Sequence, residues 1–339
     1  MSRIIIIGLD LAKRSFQVHG VDRRGKVVLR KKLSRENVLA FFANLPPCLV
    51  GMEACGGAHY FAREIEKLGH TVRQMSPQYV KPYVKRDKND ANDAEAICEA
   101  VSRPNMRFVP TKSVEQQDIL ALHRIRERLV AGRTAIANQA RGLLLELGLV
   151  IPQGIRHVRA CLPQICEDLE NCLTLIERDY LSDLYTELVE LDEKIAKYDK
   201  LLLAVGKASK ACTRLMAIPG VGVLTATAVV AAVGEGKDFR NGREFSAWLG
   251  LVPRQHSTGG RQRLFGPSKR GDVYLRKLLM HGSRSVVRHS KAKEDGRSKW
   301  LNGVAARRGT CRAIGAQANK TARIIWAVLA KDQEYKAAA

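Results

Sequence analysis

The chain has 339 residues, of which 57 are Lys or Arg and 34 are Asp or Glu, for a formal net charge of +23. That length accommodates two or three domains, each with its own core, and excludes a small stapled scaffold. No apolar run approaches the length of a membrane span, and the run Ile4–Leu9 is too short for a signal segment. The cysteines at 48, 55, 98, 161, 166, 172, 212 and 311 form no CxxC pair and have no zinc-type His spacing. The chain therefore reads as a soluble intracellular protein with free thiols and no membrane partner.

The charge is unevenly spread: 20 basic against 11 acidic residues in 1–112, 11 against 15 in 113–205, and 26 against 8 in 206–339. A surplus that large in one segment is the electrostatic footprint of a polyanion partner, usually nucleic acid.

In chain order, RIIIIGLD (3–10) is a nearly continuous β-branched run, the pattern of a central strand covered on both faces. SFQVHGVD and GKVVLRKKL follow as a hairpin that turns at Asp22–Gly25. Ser34 is placed to cap a helix over RENVLAFFANL, and 46–54 reads as another short strand. A helix ending at Gly69, the strand HTVRQMS and the helix DANDAEAICEAVSR complete a meander followed by alternating helix and strand. This is the α/β layout of the RNase H-like class and gives a first domain of 1–112.

From Ser113 to Val205 the texture is helical. Leu122, Leu129, Ile136 and Leu143 recur every seven residues, though Gly132 and Gln139 interrupt the seam. Leu181, Leu184, Leu188, Leu191, Ile195, Tyr198, Leu202 and Val205 alternate steps of three and four without a miss. That spacing predicts either a coiled coil or an antiparallel helical pair within the chain. The third domain, 206–339, opens with IPGVGVLTA (218–226), which has the form of a helix-hairpin-helix: Gly220 and Gly222 permit a close backbone approach, and the amides at the second helix start can hold a phosphate. A Gly- and Arg-rich loop then leads to a mainly helical remainder.

Four carboxylates stand out. Asp10 and Glu53 each lie at a predicted strand end, and Asp90 and Asp93 lie three residues apart on a helix start. Clustered, they would repel one another; a hard divalent cation such as Mg²⁺ or Mn²⁺, which takes oxygen ligands, removes that penalty and suits phosphodiester chemistry. Singly, each has an ordinary explanation as a cap or strand-end residue. Asp22, Asp87 and Glu95 read as solvated charges. Arg254, Arg261, Arg263, Lys269 and Arg270 flank Ser257 and Thr258 and are expected to neutralise phosphate. Trp248 reads as a core residue rather than a base-stacking platform.

The ordered motifs IGLDLAKRSF, GMEACGGAHY, KNDANDAEAI, IPGVGVLTA and WLGLVPRQHSTGGRQRLFGPSKRGDVYLRKLL resemble the transposases of the insertion sequence 110 family, in its 1111 subgroup, over nearly the whole chain. They are specific as a set and weak singly. The resemblance implies a RuvC-like domain with a DEDD tetrad at Asp10, Glu53, Asp90 and Asp93, a coiled-coil middle and a C-terminal transposase domain with a nucleophilic serine. It further implies a structured non-coding guide RNA, donor and target DNA as partners, a covalent protein–DNA intermediate, and a metal site in one subunit serving the serine of another. A homodimer or homotetramer in the bacterial cytoplasm, associated with the nucleoid, is the expected setting. The family nucleophile precedes a glycine. Here Thr258 holds that slot and Ser257 sits one residue earlier; the less hindered primary hydroxyl favours Ser257 over Thr258.

The alternative within the nucleic-acid class is a metal-dependent, structure-specific endonuclease with an inert Ser257 and no covalent intermediate. A sugar kinase or actin-like ATPase also opens on IIGLD, but the phosphate loop it needs is not found in LAKRSF. A non-catalytic helix-hairpin-helix protein leaves the four carboxylates unexplained.

Overall fold

The computed structural model describes residues 3–85 and 89–336, so Asp87 lies outside the described residues. The chain forms two compact units, Met1–Ser113 and Val114–Ala339. No described helix is long and apolar enough to cross a membrane.

The first unit contains β1 (Ile6–Leu11), β2 (Ser15–Val21), β3 (Val27–Ser34), α1 (Val38–Ala43), β4 (Leu49–Glu53), α2 (Ala58–Lys67), β5 (Thr71–Met75), α3 (Pro77–Val80), α4 (Asp90–Val101) and β6 (Phe108–Val109). The sheet order is β3-β2-β1-β4-β5-β6: β1 pairs antiparallel with β2 and parallel with β4, β5 continues parallel, and β6 closes the edge antiparallel. This mixed sheet fits the expected RNase H-like layout, with β1 central. The short β6 is not evident in the sequence, because two residues carry no periodicity.

Both faces of β1 are covered. Ile7 and Leu9 meet Phe16, Val50, Met52 and Phe61 on one face, each fully buried large side chain contributing about 1.5–3 kcal/mol. The other face carries Gly8 and, beside it on β4, Gly51. A Cβ on Gly8 would lie 2.1 Å from the Ala94 carbonyl oxygen and 2.5 Å from the Cys98 nitrogen; one on Gly51 would lie 2.7 Å from the Val101 side chain. The two glycines thus form a lane on which α4 rests directly on the strands.

The second unit contains α5 (Val114–Glu146), α6 (Ile155–Glu167), α7 (Leu175–Ala208), α8 (Lys210–Met216), α9 (Val223–Val233), α10 (Gly242–Trp248), β7 (Pro253–Thr258), β8 (Arg261–Pro267), α11 (Val273–His289), α12 (Gly296–Arg308) and α13 (Thr310–Ala330). Along α7, Leu181, Leu188, Ile195 and Leu202 are buried, as their seven-residue spacing predicts. Helices α5 and α7 run antiparallel, shown by Arg126 paired with Asp199 at 2.5 Å and Arg133 with Asp192 at 2.7 Å. On α5 the buried positions are Leu129, Ile136, Ala137, Ala140 and Leu144, with Leu143 only half-buried. A helix with 3.6 residues per turn drifts off a strict seven-residue repeat, and small side chains take up the drift.

Helix α9 is apolar all round and buried among its neighbours, which include α5, α7, α8 and α11. Gly206 admits it, since a Cβ there would lie 2.5 Å from Val223. Segments 113–205 and 206–339 therefore share one compact unit. His123 of α5 is bound on both sides: Nδ1 lies 2.9 Å from the Tyr274 hydroxyl of α11 and Nε2 lies 3.0 Å from Thr227 Oγ1 of α9. Thr227 donates its own proton to the Val223 carbonyl, so it accepts from Nε2–H, and Nδ1 accepts from Tyr274. Burial, then the Arg126 and Arg124 charges, lower His123 to about 4, and burial pushes Tyr274 up to about 12.

Two predictions follow from this packing. Gly8→Ala should cost about 1–3 kcal/mol by forcing α4 off the sheet, whereas Gly142→Ala, in α5 with open space around it, should stabilise by about 0.5–1 kcal/mol; urea unfolding of both variants checks the contrast. His123 is neutral when folded and takes a proton when unfolded below its ordinary value of 6.5, so its contribution is present above pH 6.5 and is lost as pH falls towards about 4. Unfolding midpoints measured between pH 7 and 4.5 should fall with acidification, and less steeply in His123→Gln.

Candidate functional site

The register that pairs Ile6 with Leu49 and Leu9 with Met52 continues to set Asp10 of β1 beside Glu53 of β4. By strand alternation both project from the face that carries Gly8 and Gly51. Each is half-buried, and their combined influence is visible at Cys55: partial burial, then the charges of Glu53 and Asp10, raise that thiol above its ordinary value. Helix α4 lies antiparallel to β1 along the glycine lane, with the Cys98 thiol 3.9 Å from the Ile6 carbonyl and Ala94 over Gly8. Its first turn, which carries Asp90 and Asp93, is therefore delivered to the same end of the sheet as Asp10 and Glu53. Asn89 caps the helix by accepting from the Asn92 amide at 2.8 Å.

Among the described residues no three His, Cys, Asp or Glu side chains stand close enough together to hold a metal ion. The backbone thus gathers the four carboxylates at one end of the sheet, while their side chains stop short of a closed coordination sphere. The donor set itself, four carboxylates with no sulfur or imidazole, fits a hard divalent cation. Of the other acidic positions, Asp22 accepts from the Arg24 and Lys26 amides in the hairpin turn, and Glu95 pairs with Lys85 and Arg30.

The segment read as a loop around Ser257 is instead a β-hairpin. Thr258 pairs with Arg261, Ser257 with Gln262 and His256 with Arg263. Gly259 and Gly260 form the turn with φ of 54° and 76°, the two-residue geometry that needs positive φ at both central positions. The sequence signal was the Gly-Gly pair between two polar runs, which hydrophobic alternation does not reveal because every residue of both strands is exposed. Directly paired residues share a face, so Thr258, Arg261, His256 and Arg263 lie on one side. Ser257, Gln255 and Gln262 lie on the other, and the Gln255 amide donates to Ser257 Oγ at 2.8 Å. The two candidate hydroxyls thus project in opposite directions, with the tip arginines on the side of Thr258.

The base of the hairpin is clasped by two glycines that sequence reasoning missed. A Cβ on Gly250 would lie 2.1 Å from the Arg270 carbonyl oxygen, and one on Gly271 would lie 1.8 Å from that of Trp248. The Ser268 and Lys269 amides donate to the Val252 and Gly250 carbonyls. Lys269 and Arg270 therefore sit exposed at the base, Arg254 sits near the start of β7, and Arg261 and Arg263 sit at the tip. Trp248 stacks on Phe245 with ring centroids 5.9 Å apart. Between α8 and α9, Gly220 seats the turn against α11, since its Cβ would lie 2.9 Å from the Gly282 carbonyl oxygen. Gly222 caps α9 in open space. The expected nucleic-acid residues accordingly fall into a hairpin group and a separate helix-turn group. Gly260→Val should strain the turn and open the hairpin to cleavage by added protease, while Gly260→Asn, which tolerates positive φ, should retain most of the protection; limited proteolysis within 253–267 compares the two.

Two family models match this chain. One, described as a transposase, covers residues 7–148, and the other, described as the IS116/IS110/IS902 transposase family, covers residues 212–297. Among curated relatives, a probable family 20 transposase of Pseudomonas aeruginosa is 53% identical over 97% of this chain and 98% of its own length. The transposase for insertion sequence element IS1111A of Coxiella burnetii is 48% identical over 100% of this chain and 93% of its own length. A pilin gene-inverting protein of Moraxella bovis is 24% identical over 56% of this chain and 51% of its own length. With its carboxylate-bearing sheet and its basic helical unit, the chain belongs to the IS110 family of DEDD-type DNA transposases.

Proposed function

We propose that the protein cuts and rejoins DNA at the ends of an insertion element and at a target through a serine-linked intermediate, with Asp10, Glu53, Asp90 and Asp93 holding Mg²⁺ or Mn²⁺. The observation that carries this reading is the parallel register of β1 and β4, which runs to Leu9 and Met52 and so leads into Asp10 and Glu53, with the acidic first turn of α4 brought to the same end of the sheet. A divalent cation held there supplies neutralising charge for a phosphodiester. The hydroxyl of Ser257 is the proposed nucleophile. Its oxygen bonds to phosphorus while a phosphorus–deoxyribose oxygen bond breaks; the serine proton leaves, and the departing DNA hydroxyl takes one up. Rejoining reverses these changes with a different DNA hydroxyl, so the number of phosphodiesters is conserved. Gene inversion, named for the Moraxella relative, calls for that kind of conservation.

The excess of 26 basic over 8 acidic residues in 206–339 supports a second polyanion besides the DNA substrate, and a structured guide RNA is the proposed one. Assembly as a homodimer or homotetramer would bring the hairpin of one subunit to the carboxylates of another. Thr258 is the competing nucleophile, since Arg261 and Arg263 share its face.

The test is a denaturing gel of labelled element-junction DNA incubated with protein, Mg²⁺ and co-expressed RNA. A protein–DNA band is expected in wild type, lost in Ser257→Ala and in Asp10→Asn, and kept in Thr258→Ala. A band lost only in Thr258→Ala transfers the nucleophile to that residue, and cleavage without a band in any variant makes the enzyme a hydrolytic endonuclease.

A further inference from the structure

A groove of 1970 Å³ runs between the β7–β8 hairpin, α11 and α13. None of the four carboxylates lines it, nor does Ser257 or Thr258; of the phosphate-binding candidates named above only Lys269 does. Seven of its lining residues are Lys or Arg and none is Asp or Glu. Among the described residues only Lys277 of these seven has a salt bridge, to Glu127.

The wall formed by α13 has a particular pattern. Arg312, Ala316, Lys320 and Arg323 recur at helical spacing on one face, while Ala318, Ala322 and Ile325 of the same helix are buried in the core. Small side chains at Gly315 and Ala316 leave the centre of this face low, between exposed cations at 312, 320 and 323. A phosphate backbone can approach such a face closely. The groove also has an apolar side: Trp300, partly exposed with Lys320 Nζ 4.5 Å from its ring centroid, and on the hairpin Leu264 and Phe265, 63% and 44% exposed. A duplex hides its bases from such a surface, whereas an unpaired strand offers phosphates to the cations and base faces to the rings.

We propose that this groove binds single-stranded DNA, holding a strand unpaired during exchange against α13. The choice of DNA rests on the transposase reading. The groove's chemistry, cations without carboxylates beside exposed rings, does not depend on which hydroxyl is the nucleophile.

The experiment uses the full chain and fluorescein-labelled single-stranded DNA, the same sequence as RNA, and duplex DNA, titrated by fluorescence anisotropy at several salt concentrations. The variant Arg312→Ala/Lys320→Ala/Arg323→Ala should bind single-stranded DNA roughly tenfold or more weakly, with a log–log salt slope shallower by about 2, as expected for three lost single-strand phosphate contacts. Arg261→Ala/Arg263→Ala, in the hairpin, should leave that difference intact. Photocrosslinking of wild-type protein to 5-iodouracil DNA, with peptide mapping, should place adducts at Phe265, at Trp300 or within 310–330, which keeps the test decisive if the triple variant misfolds. Wild-type affinity and slope in the triple variant, crosslinks confined to segments outside the groove, or a loss in the triple variant that falls on RNA or duplex and spares single-stranded DNA overturns the proposal. Loss of the covalent band in the adduct assay with groove binding intact would reject the nucleophile alone, so the two readings fail separately.

Discussion

The carboxylate end of the first unit depends on one close contact, the backbone of α4 lying on Gly8 and Gly51. Helix–sheet packing usually leaves room for a layer of side chains, and here that layer is missing at two adjacent in-register positions. Several consequences follow from the missing methyl groups. The helix axis comes nearer the strands, its direction is set against β1, and the turn bearing Asp90 and Asp93 is aimed at the strand ends bearing Asp10 and Glu53. Like charges would not choose this arrangement. The apolar contacts of Ile97, Ala100 and Val101 with Met75 and Val80 hold the helix there against that repulsion.

The second unit solves a different problem, that of supporting a wholly exposed ribbon. Its core runs from α8 and α9 through α10 and α11 to α13, and the His123 bridge ties α5 to two of those helices with both ring nitrogens satisfied. A buried polar triad of this kind fixes relative helix position more strictly than apolar contact alone, because a shift leaves donors and acceptors unpaired. Gly250 and Gly271 then join the hairpin to that platform through backbone contacts, with no intervening side chains.

The parts of the fold legible in sequence were those governed by short-range periodicity. The β-branched run of β1, the strand-end positions of Asp10 and Glu53, and the three-four spacing of α7 each correspond to the structure element by element. What escaped was long-range or carried by residues without side chains. Nothing in the β-branched run singles out Gly8, and its role appears only when Ala94, far along the chain, is brought over it. The hairpin has no buried face, so no alternation marked it. The groove along α13 joins residues from four separate helices and a ribbon, and no local window contains it. The pairing of the four carboxylates by type was legible, while their approach to one another is a property of sheet register and helix direction.

The hairpin's exposure has a further meaning for a DNA transposase. An isolated two-stranded ribbon is marginally stable in water at best, and this one has both faces and all its strand residues in solvent. Its base is held firmly and its tip is held by little beyond one ladder of hydrogen bonds. Fixing the Ser257 and Thr258 side chains in one place must then draw on contacts from outside the ribbon. The definition of the ribbon's tip is thus supplied by whatever it meets, because the chain entropy of an unsupported ribbon opposes it.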